Sequence, residues 1–327
     1  MEDGILIKHE GESTDPRYGR RPSDRPIQEH IRKGIANVDK PAGPTSHQVS
    51  AWVKDIFHID KTGHSGTLDP NVTGVLPVGL GEGTKVLQAL LIAGKQYVTV
   101  MKLHADTTNS QIKKTFSLFL GEIYQRPPLK CAVKRELRTR HIYSIKYIER
   151  EGDLVLYTVD CEAGTYIRKL CHDIGLILGV GAHMQELRRT RAGPFGEDTL
   201  VSMHDLRDAW ENHQKTKDEA ELRRLIQPLE SAVEHLPKIW IKDSAVSAVC
   251  HGAHLAAPGV VKLTDTVKNK QDVAIMTLKG ELVALATAMG DAKWILNANK
   301  GEVAAADRVI MHPDTYPKQW TTVEKKD

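Results

Sequence analysis

Near the middle of the chain two runs, 142–149 and 154–162, flank the tripeptide Glu151-Gly152-Asp153. Both carry regularly spaced Ile, Val, Leu and Tyr, and an acid-glycine step between two such runs is a hairpin signal. Two long strands joined tightly are antiparallel, and a hairpin needs more strands beside it to be stable. The chain supplies them. Residues 96–103 alternate with period two, and 34–38 and 75–80 also read as strands. Between them lie helical patterns. Thr45 or Ser46 can cap a helix with Val49, Trp52, Val53 and Ile56 on one face. Residues 84–92 and 109–120 read as helices, and Ile167, Leu170, Ile174 and Leu178 recur at helical spacing. The expected class is α+β: a mixed, mainly antiparallel sheet with flanking helices.

Past residue 205 the pattern changes twice. Residues 205–236 are charged and helical and stop before Pro237, which reads as a domain boundary. Short runs rich in Val, Ala and Ile follow at 260–263, 273–278, 282–289 and 308–311, punctuated by Gly259, Gly280, Gly290 and Gly301. That is the pattern of a small β-barrel. The division expected is an N-terminal extension over 1–30, a first domain over 31–236, the barrel over 237–317 and a tail over 318–327. The extension is polar, with Arg17, Arg20, Arg21 and Arg25 set among Pro16, Pro22 and Pro26, so composition alone reads it as disordered.

Composition excludes several classes. Of 327 residues, 40% are hydrophobic and 27% charged, as in soluble globular proteins. Aromatics at 5% are too few for a platform stacking many bases. A net charge of +3 leaves room for a local basic face. The four cysteines, Cys131, Cys161, Cys171 and Cys250, form no C-x-x-C pair, which fits reduced thiols and neither a disulfide framework nor a metal site. No apolar run reaches membrane-spanning length and no signal-peptide core opens the chain, so the expected place is the cytoplasm.

The stretch richest in chemistry is Gly63-His64-Ser65-Gly66-Thr67-Leu68-Asp69-Pro70. Gly63 and Gly66 permit sharp bends, and Pro70 biases Asp69 toward an extended backbone. One acid held among turn residues is a candidate nucleophile or base. Asp39-Lys40-Pro41-Ala42-Gly43-Pro44-Thr45-Ser46 precedes it. Lys95-Gln96-Tyr97, Cys161-Glu162-Ala163-Gly164-Thr165-Tyr166-Ile167-Arg168-Lys169-Leu170 and Leu187-Arg188-Arg189-Thr190-Arg191-Ala192-Gly193-Pro194-Phe195 follow.

These five blocks, in this order, resemble the TruB-type pseudouridine synthases, and within them the archaeal members of the dyskerin group. The resemblance spans 31–317. It implies a pseudouridine synthase fold, makes the C-terminal barrel a PUA RNA-binding domain and implies that the N-terminal extension wraps onto it. It makes Asp69 the catalytic acid and pairs it with Arg168, an arginine that the macrodipole would disfavour near the start of a helix. It puts Tyr97 against the target base as a stacking group and candidate base, Tyr166 in the same pocket, Leu187 in its apolar wall, and His64 in the space left by a flipped-out nucleotide. Lys40 and Pro41 match a block that shores up the loop, so Lys40 belongs to the site in a structural role. No cofactor or metal is implied.

Two basic clusters remain: Arg126, Lys130, Lys134, Arg135 and Arg138, and Arg188, Arg189 and Arg191. In an RNA enzyme they are expected to contact phosphates, which positions RNA without reading its sequence. The sequence offers few base-reading elements, which agrees with the guide RNA that the resemblance implies. The resemblance accordingly implies an RNA-guided enzyme of rRNA, and of tRNA as a further substrate, monomeric within a box H/ACA particle with a guide RNA and three small accessory proteins. A stand-alone enzyme of the tRNA TΨC arm and a non-catalytic RNA scaffold are the competing readings.

Overall fold

The computed structural model describes residues 4–126 and 136–318. The chain forms two compact units, one from Met1–Ile35, Gly81–Val86 and Ile226–Asp327, the other from Ala36–Leu80 and Leu87–Leu225.

In the first unit β1 (Ile5–Ile7) is the outer strand of a seven-stranded sheet. The order continues through Val260–Thr264, Lys238–Ile241, Asp272–Thr277, Leu282–Ala288, Glu302–Val309 and Leu255–Ala256. All neighbours are antiparallel except Lys238–Ile241 with Asp272–Thr277. Ile239, Ile275, Val283 and Val303 from the strands bury against Val246 and Ile295 from two short helices. The last strand was expected over 308–311 and instead occupies Glu302–Val309. Its small residues, Ala304 to Ala306, pair with the strand before it.

The N-terminal segment is fastened to this unit side chain by side chain. The Lys8 ammonium donates to the carbonyls of Ile295, Leu296 and Ala298, which closes the end of helix Ala292–Asn297 where carbonyls lack intrahelical partners. The Thr14 hydroxyl and the Asp15 amide both donate to the Asp243 carboxylate. Arg25 meets Glu230 through two bonds of 2.9 and 2.7 Å, both side chains buried. α1 (Ile27–Arg32) follows and buries Ile27, His30 and Ile31. The polar composition of residues 4–25 concealed this, because its contacts are hydrogen bonds and ion pairs, which leave no periodic apolar signal.

The second unit holds, in chain order, β2 (Gly34–Lys40), β3 (Thr62–His64), β4 (Thr73–Leu80), β5 (Lys95–Leu103), β6 (Gly121–Gln125), β7 (Arg138–Glu151), β8 (Leu154–Cys161) and β9 (Ala182–Ala192). In space the order is β2-β4-β9-β5-β8-β7-β6, with β3 paired to β4. β4–β9 is parallel, and each pair from β9 to β6 is antiparallel. The class is α+β with a mixed, mainly antiparallel sheet, as the sequence led us to expect. The helices are α2 (Ser46–Phe57), α3 (Leu87–Ile92), α4 (Asn109–Leu118), α5 (Ile167–Leu178), α6 (Met203–Thr216) and α7 (Ala220–Leu225). Met101, Val155, Tyr157 and Val159 of the sheet form one buried cluster with Ile112 and Phe116 of α4 and Ile167, Leu170 and Ile174 of α5. The α2 cap is Thr45, whose side chain accepts from the Gln48 amide in a reciprocal capping box.

Two elements depart from expectation. The helix expected over 84–92 starts at Leu87, after a 3-10 stretch Gly81–Val86. Central strand β9 had been read as a family block and a basic cluster but not as a strand, because Leu187-Arg188-Arg189-Thr190-Arg191 lacks apolar alternation. Among the described residues no helix is long and apolar enough to cross a membrane, and no group of three side chains is placed to hold a metal.

Burial pushes the thiols of Cys161, Cys171 and Cys250 up to about 12, 11 and 12. An unfolded thiol ionises near 9, so above that pH the unfolded chain gives up protons the folded one keeps. Stability is therefore full below pH 9 and falls as pH climbs through the folded values, by up to about 1.4 kcal/mol per pH unit for each thiol. Lys95, lowered to about 8 by burial and then by Arg189, opposes this by a single proton. Thermal melting should decline above pH 9; a rise in Tm from pH 9 to 10.5 would contradict the burial of the thiols.

Candidate active site

The loop between β3 and β4 is held from below. The Ser46 hydroxyl, at the start of α2, accepts from the Leu68 amide at 2.9 Å and donates to the Leu68 carbonyl at 3.2 Å. The Leu68 side chain is buried. Gly66 adopts φ +100°, a region other residues avoid. The Asp69 carbonyl accepts from Val72 N, and the Pro70 carbonyl from Gly43 N. Lys40, fully buried, spends all three ammonium hydrogens on the carbonyls of Pro41, Pro70 and Val72 at 2.8–2.9 Å. Burial lowers the Lys40 pKa, and the nearby charge of Asp69 opposes that in part. Lys40 is thus sealed away from any substrate, so although it was counted with the site it acts as a clamp beneath the loop. The backbone is pinned on both sides of Asp69 while its carboxylate stays 57% exposed.

That carboxylate meets Arg168. The Arg168 guanidinium donates to Asp69 Oδ2 at 2.6 Å, and its own side chain is 59% exposed. Arg168 sits in the first turn of α5, whose N-cap is Tyr166. Tyr166 offers no side-chain cap. The buried Gln125 side chain instead accepts from the Tyr166 amide at 2.9 Å and donates to its carbonyl at 3.1 Å. An ion pair this open contributes about 0–1 kcal/mol to stability. Folding alone does not account for two half-exposed charges held together on so firmly pinned a loop, and an oriented carboxylate does.

Tyr97 lies on β5, opposite Val159 of β8 and Arg189 of β9. Leu187 lies opposite Thr99, and both Tyr97 and Leu187 pack on the cluster beneath α5. Burial raises the Tyr97 phenol above its ordinary value, and the adjoining Arg189 only partly offsets this. The phenol therefore stays protonated at neutral pH, so little phenolate is available to act as a base. His64 ends β3. Both ring nitrogens are buried without a protein partner, and His47 packs edge-on at 4.8 Å. Burial, then His47 and Arg189, lower His64 to about 4, so it is neutral at pH 7.

The basic clusters need correction. Lys130, Lys134 and Arg135 lie outside the described residues. Arg126 is exposed, and Arg138 is half-buried on β7 opposite Gln125. On β9, Arg189 is only 1% exposed and donates to the carbonyls of Val75 and Gly66, so it contacts no phosphate. Strand alternation explains it: Arg189 shares the inward face of Leu187. Arg188 is held by Asp39 and Glu197, and Arg191 by Asp160. A register shift at Gln96/Tyr97 separates Arg191 from the Arg189 face. The three arginines are therefore not one free basic surface. Sequence reasoning missed Gln125 as the α5 clamp, for which no local signal exists, and Ser46 as the Leu68 clamp, whose small hydroxyl read only as a cap.

Four family models match the chain. They are the TruB family pseudouridylate synthase N-terminal domain over residues 54–167, the tRNA pseudouridylate synthase B C-terminal domain over 168–234, a PUA domain over 237–310 and a DKCLD (NUC011) domain over 2–50. At 55% identity over 97% of this chain and 93% of the relative, the sequence is similar to the probable tRNA pseudouridine synthase B of Methanopyrus kandleri. It is similar at 56% identity, over 97% and 95%, to that of Pyrococcus horikoshii. The chain belongs to the TruB family of pseudouridine synthases. As a TruB-family enzyme it isomerises uridine to pseudouridine. Its fold matches a chain in the crystal structure of a Cbf5-Nop10-Gar1 complex, with TM-score 0.92, 55% identity and 97% of each chain covered. It also matches a chain in the structure of an H/ACA RNP bound to a substrate RNA containing 2'-deoxyuridine, with TM-score 0.90, 53% identity and 97% of each chain covered.

In a TruB enzyme the exposed pair becomes testable. Arg168→Ala should lower turnover about 100-fold, the scale of losing one donor to a reacting charge, with the melting temperature unchanged within about 2 °C. Near-normal turnover in a pseudouridine assay would remove Arg168 from the site.

Proposed function

We propose that this pseudouridine synthase is the catalytic subunit of an archaeal box H/ACA ribonucleoprotein and isomerises uridines chosen by a guide RNA, in rRNA first. The observation that carries this is the match over 97% of both chains to a subunit of an H/ACA RNP bound to substrate RNA. It includes the N-terminal segment and the PUA domain, which a catalytic domain acting alone would not need. The guide RNA, a target RNA and small accessory proteins are the partners. The proposed division keeps an N-terminal extension over 1–30, a catalytic domain over 31–236, a PUA domain over 237–317 and a tail over 318–327. The cytoplasm is the proposed place of action.

Within that reading Asp69 acts on the target uridine, at C1′ or C6, and Arg168 orients its carboxylate. Tyr97 stacks on the base, Tyr166 and Leu187 complete the pocket, and His64 fills the gap in the RNA stack. A neutral imidazole with unused nitrogens suits a space-filling part. Asp69 and Arg168 in contact argue against a non-catalytic scaffold.

The test is reconstitution. The protein with a guide RNA, accessory proteins and a matched target should form pseudouridine at the guided position and at no other. A second reading, direct action on tRNA, is favoured by the relatives' names. Modification of naked tRNA with no guided activity would replace the proposal with that reading.

A further inference from the structure

Arg189 is a buried cation without a counter-ion. Its side chain is 1% exposed, and no carboxylate among the described residues pairs with it. Its bonds go to neutral groups: Nε donates to the Val75 carbonyl at 2.7 Å and a terminal nitrogen to the Gly66 carbonyl at 3.3 Å, and the Tyr97 hydroxyl is its side-chain partner. The backbone leaves no slack around it. Gly74, opposite Arg189 in the β4–β9 ladder, has φ +100°, and a Cβ there would come within 2.2 Å of the Arg189 carbonyl. Its charge is felt at three other groups, since it disfavours protons on His64 and Lys95 and opposes the upward shift of Tyr97. A buried charge usually carries a penalty of several kcal/mol unless paired. The neighbouring arginines 188 and 191 are both paired with acids. Arg189 is the one left open, and it lies behind Tyr97.

The chemistry supplies a partner. Breaking the N1–C1′ bond leaves the bonding pair on N1 while the Asp69 carboxylate takes C1′. C5 then displaces the carboxylate from C1′, the C5 proton leaves and N1 gains one, so no co-reactant is needed. If Asp69 adds at C6 instead, the pair moves onto the C5–C4–O4 system. On either route the base carries negative charge before the new bond forms. We propose that Arg189 is a positioning residue acting through Tyr97 and the Gly66 carbonyl, and that its permanently uncompensated positive charge stabilises the anionic uracil while it is detached or adducted. A fixed charge in a dry site stabilises developing charge without reorganisation. The inference rests on the proposed placing of the target base against Tyr97.

The experiment compares the rate of the bond-breaking or adduct-forming step on guided targets carrying uridine or 5-fluorouridine, under single-turnover conditions. Fluorine at C5 withdraws electrons and stabilises the anionic base by itself. R189M should slow the uridine reaction about 100-fold and R189K about tenfold, with RNA affinity within about threefold. On 5-fluorouridine the R189M deficit should shrink to about tenfold or less and the R189K deficit should nearly vanish. An equal deficit on both substrates, or a change confined to KM, would show a merely structural role and overturn the inference. Should neither variant fold, Tyr97→Phe, which cuts the phenol from the guanidinium, takes the same comparison with the same two outcomes. A wild-type protein inactive on guided uridine would instead remove the proposed function.

Discussion

Asp69→Asn should reduce pseudouridine formation by at least about 1000-fold, the scale of removing a group that acts directly on the substrate. Guide-RNA affinity and melting temperature should stay near wild type. The reason lies in which atoms hold the loop. The bonds at this turn run through the Asp69, Pro70 and Val72 carbonyls, the Leu68 backbone and the Lys40 ammonium, and the Asp69 side chain contributes only its contact with Arg168. That contact is more than half exposed on both sides and contributes about 0–1 kcal/mol. Asparagine keeps the shape and one acceptor for the guanidinium but not the charge, so the variant separates chemistry from architecture. Release of the C5 proton from labelled target RNA measures it. Turnover within about tenfold of wild type would mean that another group does the work.

What the sequence revealed and what it hid divide along a physical line. Patterns that repeat were readable: the β7–β8 hairpin around Gly152, the apolar face of α2, the spacing of α5 and the glycine-punctuated strands after Pro237. The Asp69–Arg168 contact was expected from two ordered blocks 99 residues apart, and the structure brings the two side chains together. Features that depend on single long-range partners were not readable. Nothing local marks Arg189 as buried and Arg188 as paired, because adjacent strand residues face opposite ways and the partners, Val75, Gly66 and Asp39, come from elsewhere in the chain. Composition hid the N-terminal segment for the same reason, although the family resemblance implied its place. Its hold on the first unit runs through Lys8, Thr14, Asp15 and Arg25, residues that in isolation read as solvated.

The Lys40 clamp shows how far such a hidden contact reaches. Lys40→Met replaces the ammonium with an apolar end of similar length, so the cavity stays filled and the effect isolates the three hydrogen bonds. The Pro70 carbonyl keeps the Gly43 amide, but those of Pro41 and Val72 lose this donor in a buried place. At about 1–3 kcal/mol for each unsatisfied group, the expected loss is about 2–6 kcal/mol. Relief from burying a charge, which lowers the Lys40 pKa in the folded protein, places the result toward the lower end of that range. At about 2–4 °C per kcal/mol the melting temperature should fall by about 5–15 °C. Turnover should fall as well, by about 100-fold, because releasing the chain on both sides of Asp69 lets the carboxylate drift from the geometry that the reaction needs. The fall should appear in kcat with RNA affinity little changed, since Lys40 is sealed from solvent. Lys40→Arg should not rescue, as a planar guanidinium does not reproduce three hydrogens diverging from one nitrogen. If Lys40→Met instead melts and turns over like wild type, the loop is held by Ser46 and Leu68 alone, and the buried lysine has no part in placing the acid.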